Sequence, residues 1–415
     1  MMSTAPASPR RGLVLAMLLL VYTFNFLDRQ ILSILAQPVK ADLGLSDTQL
    51  GLLGGLAFAA LYSTLAIPLA LIADRTSRSW VITLSLGVWS AFTALCGAAQ
   101  SFTQMFLFRL GVGVGEAGGV APSYALIGDY YPPERRARAL SIYSLGIPLG
   151  AAGGALLGGY IAQTVEWRTA FIVVGLLGLA IAPVFKLLVR DPPRAAAPAD
   201  QVPVGRVFAI LAAKPSFWLM AFGAAAGSMC GYGVAFWLPS LMMRSFGLDL
   251  VGVGQFFGAL LLTGGVAGVL LGGALGDRLG RRDRRWYALA PAICYVAGTP
   301  LFIAGVLSGS WPVAFALFLL PQALVYVWLG PVLTVVQHLV PAHMRATASA
   351  SFLLINNLLG LGFGSLVIGR LSDALRPAYG AEALRYAVAA GLCLYLLAGV
   401  LMALASRGLA RDWVE

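Results

Sequence analysis

The sequence predicts an all-α membrane protein with twelve transmembrane helices in two pseudo-symmetric six-helix bundles. Three observations predict it. Apolar residues make up 59% of the chain and charged residues only 11%, against about 25% charged in soluble domains. Twelve apolar segments are each long enough to cross about 30 Å of hydrocarbon. A charged turn, Asp74-Arg75-Thr76-Ser77-Arg78, returns as Asp277-Arg278-Leu279-Gly280-Arg281-Arg282 about half of the 415-residue chain later. Repetition at that spacing marks a duplicated unit.

The first six spans cover 12–38, 47–73, 79–99, 102–128, 137–163 and 168–189. The second six cover 215–243, 250–276, 286–307, 312–339, 346–372 and 383–406. The tail Met1–Pro9 is short, and the apolar run after Arg10-Arg11 is too long for a signal-peptide core. That run reads as the first membrane helix. The longest polar break, 191–214, carries Pro192, Pro193, Pro198 and Pro203. It is the expected cytoplasmic linker between bundles at 1–190 and 215–415, with a short interfacial helix over 204–213. A second echo supports the duplication: Pro132-Pro133-Glu134-Arg135-Arg136-Ala137 after the fourth span and Pro341-Ala342-His343-Met344-Arg345-Ala346 after the tenth.

The net charge of +11 is a topology signal before it is a binding signal. Most Lys and Arg fall in the termini and loops that share one side, Arg75, Arg78, Arg135, Arg136, Arg278, Arg282 and Arg284 among them. The opposite side receives Lys40, Arg168, Arg244, Arg370, Arg376 and Arg385. This bias places both termini in the cytoplasm, of a cell membrane in a prokaryote. It leaves no dedicated nucleic-acid surface. The partners expected are the bilayer and a small-molecule or lipid substrate, and the chain is expected to act as a monomer. Cys96, Cys230, Cys294 and Cys393 lie in apolar stretches without paired spacing, and the two His have no zinc spacing. They predict no disulfide, metal or cofactor, the proton being the only coupling ion.

Four ionisable residues lie deep in the spans: Asp28, Arg29, Arg109 and Glu116. A charge at the centre of a membrane helix costs about 2.5–3.5 kcal/mol even on the lenient insertion scale. Arg109 and Glu116 are two turns apart on one helix face. Depth matching brings Asp28 level with Arg109, as an ion pair, and leaves Glu116 deeper without an Arg immediately beside it. Glu116 is therefore the expected proton carrier and Asp28 its coupled partner. Arg109 and Arg29 are the expected anion ligands, because guanidinium fits phosphate and carboxylate with two prongs. The alternative is a static ion-pair network that only fixes helix packing. Asn25, one turn before Asp28, and the mid-span pair Asn356-Asn357 are candidate cavity residues. Gly111, Gly113 and Gly115 read as close helix packing, since no strand precedes them.

With these residues in view, the chain resembles the major facilitator superfamily. Its signature G-x-x-x-D-R-x-G-R-R/K is met at every fixed position by Gly273, Asp277, Arg278, Gly280, Arg281 and Arg282. The first copy has Ala70 and Ser77 where glycines are expected. A narrower resemblance, to spinster-like transporters, rests on Asn25-Phe26-Leu27-Asp28-Arg29-Gln30, on Arg109 with Gly111, Gly113, Gly115, Glu116 and Ala117, and on Leu140 to Gly150. It implies proton-coupled alternating access and an anionic amphiphile such as a lysolipid or sphingoid phosphate. Organic-anion symporters of the same superfamily carry a similar N-x-L-D-R turn, so uptake of sugar acids or carboxylates stays open. The resemblance also implies a gate at Asp74, Arg75, Arg78 and Asp129, and at Asp277, Arg278, Arg281 and Arg282. Asp74 is expected to hold the start of the eleventh helix and Asp277 that of the fifth, in the outward-facing state. A membrane enzyme would need a nucleophile–base pair or metal cluster, and a sensor an added signalling domain. The sequence offers neither.

Overall fold

The computed structural model describes residues 11–192, 204–268, 271, 278, 282–341 and 344–414. All regular structure among them is helical. The expected tail Met1–Pro9, linker residues 193–203, Gly273, Asp277, Gly280 and Arg281 lie outside the described residues.

The first span forms α1 (Arg11–Ile34) and α2 (Ala36–Leu43), and the second α3 (Asp47–Gly54) and α4 (Leu56–Arg75). The third is α5 (Arg78–Gly97). The fourth divides into α6 (Phe102–Glu116) and α7 (Val120–Tyr130), and the fifth into α8 (Pro133–Ser144) and α9 (Gly146–Thr164). The sixth is α10 (Trp167–Leu188), and the short helix expected in the linker is α11 (Val204–Ala212). Then come α12 (Pro215–Phe246), α13 (Leu250–Leu260), α14 (Trp286–Leu307), α15 (Trp311–Leu324) and α16 (Leu329–His338). The last spans hold α17 (Arg345–Asn356), α18 (Gly362–Tyr379), α19 (Ala383–Gly391) and α20 (Cys393–Asp412). Among the described residues, ten helical stretches are long and apolar enough to cross a membrane. One of them, Thr347–Asp412, holds both the eleventh and the twelfth expected spans. The fourth span, which divides at 117–119, is not among the ten.

Four expected spans divide near prolines. A proline at position i cannot donate to the carbonyl at i−4. The chain divides near that point at Leu35 before Pro38, at 117–119 before Pro122, at Leu145 before Pro148 and at 325–328 before Pro331. Pro68, Pro183 and Pro239 stay inside unbroken helices.

The chain forms two compact units. The first is Met1–Leu32 with Leu61–Ala197, and the second is Ser33–Ala60 with Pro198–Glu415. Segment 33–60, which the sequence places in the N-terminal bundle, packs with the second unit. Buried polar contacts hold it there. Arg244 Nη1 and Nη2 each donate to Asp47 at 2.7 Å, and Arg244 Nε donates to Gln37 Oε1 at 2.8 Å. Lys40 and Ser372 also donate to Asp47. The Asp373 carboxylate accepts from the Thr48 N–H at 2.7 Å and hydroxyl at 2.6 Å, at the start of α3. A carboxylate suits this helix N-terminus.

In the first unit, glycines let helices approach closely around α1 and α5. A Cβ on Gly150 would lie 2.1 Å from the Thr23 carbonyl, and one on Gly154 2.5 Å from that of Leu27. On α6, a Cβ on Gly111 would strike the Phe92 ring and one on Gly115 the Trp89 backbone. The expected packing role of Gly111 and Gly115 is met, and α1 and α6 are thereby seated against their neighbours.

Candidate functional site

The four deep charges all belong to the first unit. Asp28 and Arg29 sit on α1, and Arg109 and Glu116 on α6. Glu116 is 0% exposed, Asp28 1% and Arg109 2%. Arg29 Nε donates to Glu116 Oε2 at 2.7 Å. The Arg29 guanidinium also lies 4.6 Å from the Tyr62 ring centroid and 5.1 Å from that of Phe26. Aromatic faces stabilise a cation by about 0.5–2 kcal/mol, more when desolvated. They offset part of the cost of bringing Arg29 into an apolar span.

This corrects one expectation. Glu116 does have an Arg immediately beside it, and that Arg is Arg29. Arg29 reaches Glu116 because successive helix residues point about 100° apart. Asp28 turns instead toward α5, where the Thr93 hydroxyl donates to its Oδ2 at 2.9 Å. Arg109 and Arg29 both act on Asp28 electrostatically, and Asp28 and Glu116 act on each other. The four residues are one cluster, formally neutral when both acids are ionised. Asp28 Oδ1 and Glu116 Oε1 are buried without a hydrogen-bond donor among the described residues. Each is a place where a proton can sit.

The backbone adds to this. Glu116 is the last residue of α6, and the next turn tightens. Gly119 N–H donates to the Glu116 carbonyl at 3.0 Å, three residues back instead of four. The acid therefore stands at the division set by Pro122. Asn25 is buried, with its Oδ1 unpartnered, beside a small cavity that Tyr22, Trp89, Ser123 and Tyr143 help to line.

The remaining candidates fall elsewhere. Asn356, in the second unit, accepts from the Ser228 hydroxyl at 2.9 Å and donates weakly to Asn357 at 3.5 Å. The Ser228–Asn356 bond ties α17 to α12. At the turn between α4 and α5, Arg78 donates to Asp74 at 2.9 Å and pairs with Asp129 at the end of α7. Asp129 thus joins the first turn. Arg75, Arg278 and Arg282 are exposed, while Asp277 and Arg281 lie outside the described residues. The sequence reading missed Thr93, Tyr62 and the Asp47–Arg244 network. It also missed Asp191, whose carboxylate accepts from Ser79 N–H and hydroxyl at the start of α5.

Comparison with known proteins gives concordant results. A family model described as Major Facilitator Superfamily matches residues 18–364. An "MFS-type efflux pump" of Mycolicibacterium smegmatis is 35% identical over 98% of this chain and 95% of that one. Human "Protein spinster homolog 1" is 27% identical over 88% of this chain and 74% of that one. The crystal structure of a bacterial homolog to the human lysosomal transporter Spinster, inward-facing and unoccupied, superposes with a TM-score of 0.86. It is 31% identical and covers 98% of this chain and 99% of that one.

Proposed function

The chain belongs to the major facilitator superfamily, and from that premise we propose that this membrane transporter couples protons to an anionic amphiphile. The substrate class is a lysolipid or sphingoid phosphate, moved by alternating access about the cluster on α1 and α6. The observation that carries the reading is the 2.7 Å Arg29–Glu116 pair, with Glu116 wholly buried.

The mechanism follows from competition. The Glu116 carboxylate and an anionic head group need the same guanidinium. With Glu116 ionised, Arg29 is occupied. A proton on Glu116 removes its charge, weakens the pair and frees Arg29 for phosphate or carboxylate, with Arg109 adding positive field. Loss of the proton restores the pair and expels the anion. Asp28 neutralises Arg109 while the site is empty. Each loaded proton and each loaded anionic charge cancel, so the buried cluster avoids a net charge, which would be costly in the membrane. The Asp74–Arg78–Asp129 triad and its second-half counterpart act as the gate on the cytoplasmic side.

The amphiphile is favoured over a sugar by the uneven distribution of charge. All four deep charges lie in the first unit, and the later expected spans carry none. The resemblance to spinster-like transporters implies the same class. The test is a thermal-shift panel on purified protein with lysophosphatidate, a sphingoid phosphate, a sugar acid and a dicarboxylate. Stabilisation by the two anionic lipids alone is expected. Stabilisation by the sugar acid or dicarboxylate alone moves the reading to small-anion symport. No shift with any anion contradicts it.

A further inference from the structure

We propose that Thr93, on α5, is a positioning residue for proton exchange at Asp28, its hydroxyl turning between the carboxylate and its own helix backbone. The inference rests on the proton-switch reading above and adds a residue outside α1 and α6.

Thr93 and Asp28 are each 1% exposed, and the hydroxyl-to-carboxylate distance is 2.9 Å. What singles Thr93 out is its departure from the habit of threonines beyond the first turn of other helices in this chain. Thr83, Thr263, Thr299 and Thr334 each donate to the carbonyl four residues back, at 2.7–3.0 Å. That is the usual local bond of a threonine in a helix. Thr93 has the Trp89 carbonyl at the same spacing but spends its only proton on Asp28.

The surroundings make this a choice between two partners. Asp28, Thr93, Phe24, Trp89, Ser90 and Val174 line one small cavity with Gly175. The titratable and charged groups acting on Asp28 are Arg29 on its own helix, Arg109 and Glu116 on α6, and the Cys96 thiol on α5. α10 presents Val174 and Gly175 to the cavity, and α9 meets α1 through glycines. Thr93 is thus the hydroxyl that answers directly to the charge on Asp28. When Asp28 is ionised, Thr93 donates to it. When Asp28 holds a proton, the acid O–H donates to the Thr93 oxygen, and the Thr93 proton turns to the Trp89 carbonyl. Either state keeps the Thr93 hydroxyl and Asp28 Oδ2 partnered, while Oδ1 has no hydrogen-bond donor among the described residues. The proton stays on Asp28 throughout.

The experiment reads proton binding without any substrate. Protonated-carboxyl infrared absorption of purified protein is titrated from about pH 4 to pH 10 in wild type, Asp28→Asn, Thr93→Val and Thr93→Ser. The component lost in Asp28→Asn belongs to Asp28. Thr93→Val keeps the shape but removes the donor to the carboxylate. It is expected to move that component's midpoint to higher pH by about one unit, a tenfold change in proton affinity. Thr93→Ser is expected to retain the wild-type midpoint. If Thr93→Val does not fold, Thr93→Ala carries the same expectation with less volume. An unchanged midpoint and frequency in the variant lacking the hydroxyl overturns the role of Thr93 and leaves the proton switch standing. If no component titrating in wild type is lost in Asp28→Asn, proton exchange at Asp28 and the role of Thr93 both fall, and the Glu116 switch stands.

Discussion

Removing Arg29 tests the core of the cluster because the cost has a definite size and pH dependence. In Arg29→Met the Glu116 carboxylate loses its 2.7 Å partner while remaining wholly buried. Leaving one half of a buried ion pair costs about 3–5 kcal/mol. The protein can escape that cost by protonating Glu116. From a reference of about 4.3, this escape costs about 3.7 kcal/mol at pH 7, at 1.36 kcal/mol per pH unit. The two routes are nearly equal at pH 7, so the penalty there is about 3 kcal/mol or more. At pH 5 the protonation route costs only about 1 kcal/mol. Arg29→Met is therefore expected to melt well below wild type at pH 7 and to recover most of the difference at pH 5. Arg29→Met with Glu116→Gln removes both charges and is expected to lie within about 1 kcal/mol of wild type, with little pH dependence. The assay is thermal melting in detergent at matched scan rates across pH. A single variant equally stable at pH 5 and pH 7, or a double variant worse than the single, refutes the reasoning.

Two further outcomes follow from the packing. Gly150→Leu places side-chain atoms where a Cβ alone would come within 2.1 Å of the Thr23 carbonyl. It is expected to lower stability by about 3 kcal/mol and abolish transport. Gly87→Ala, with nothing within 4 Å of its Cβ, is expected to be neutral or stabilising by up to about 1 kcal/mol, measured by the same melts. Asp47→Asn leaves Arg244 and Lys40 facing a neutral amide. Deuterium uptake in peptides covering 44–60 is expected to rise by about 100-fold, the equivalent of about 3 kcal/mol of lost pairing.

The spans, the duplicated turn and the four deep charges were legible in the sequence because each rests on hydropathy, spacing or the cost of a buried charge. The pairing was not. Depth along α1 follows from counting residues, but the direction each side chain faces depends on which helices lie beside it. Asp28 and Arg29 are neighbours in sequence and part company in space, one toward Thr93 and the other toward Glu116 and Tyr62. Thr93 carries no motif and lies in an ordinary apolar run. The helix divisions were half legible: Pro38, Pro122, Pro148 and Pro331 mark them, yet Pro68 and Pro183 leave their helices unbroken. Asp47 stands at the first position of the second expected span, and its network draws on Arg244 and Ser372, far from it in the chain, as well as on Lys40.

The central claim is that Glu116 carries the proton that drives transport. It is tested most directly by proton flux into proteoliposomes holding Glu116→Gln, with the strongest ligand of the thermal-shift panel as substrate. The account predicts that wild type takes up protons with substrate. It predicts that the variant still binds substrate and exchanges it across the membrane at equal pH, but neither moves protons nor responds to a pH gradient. Gradient-driven proton and substrate flux at the wild-type rate in Glu116→Gln would contradict it.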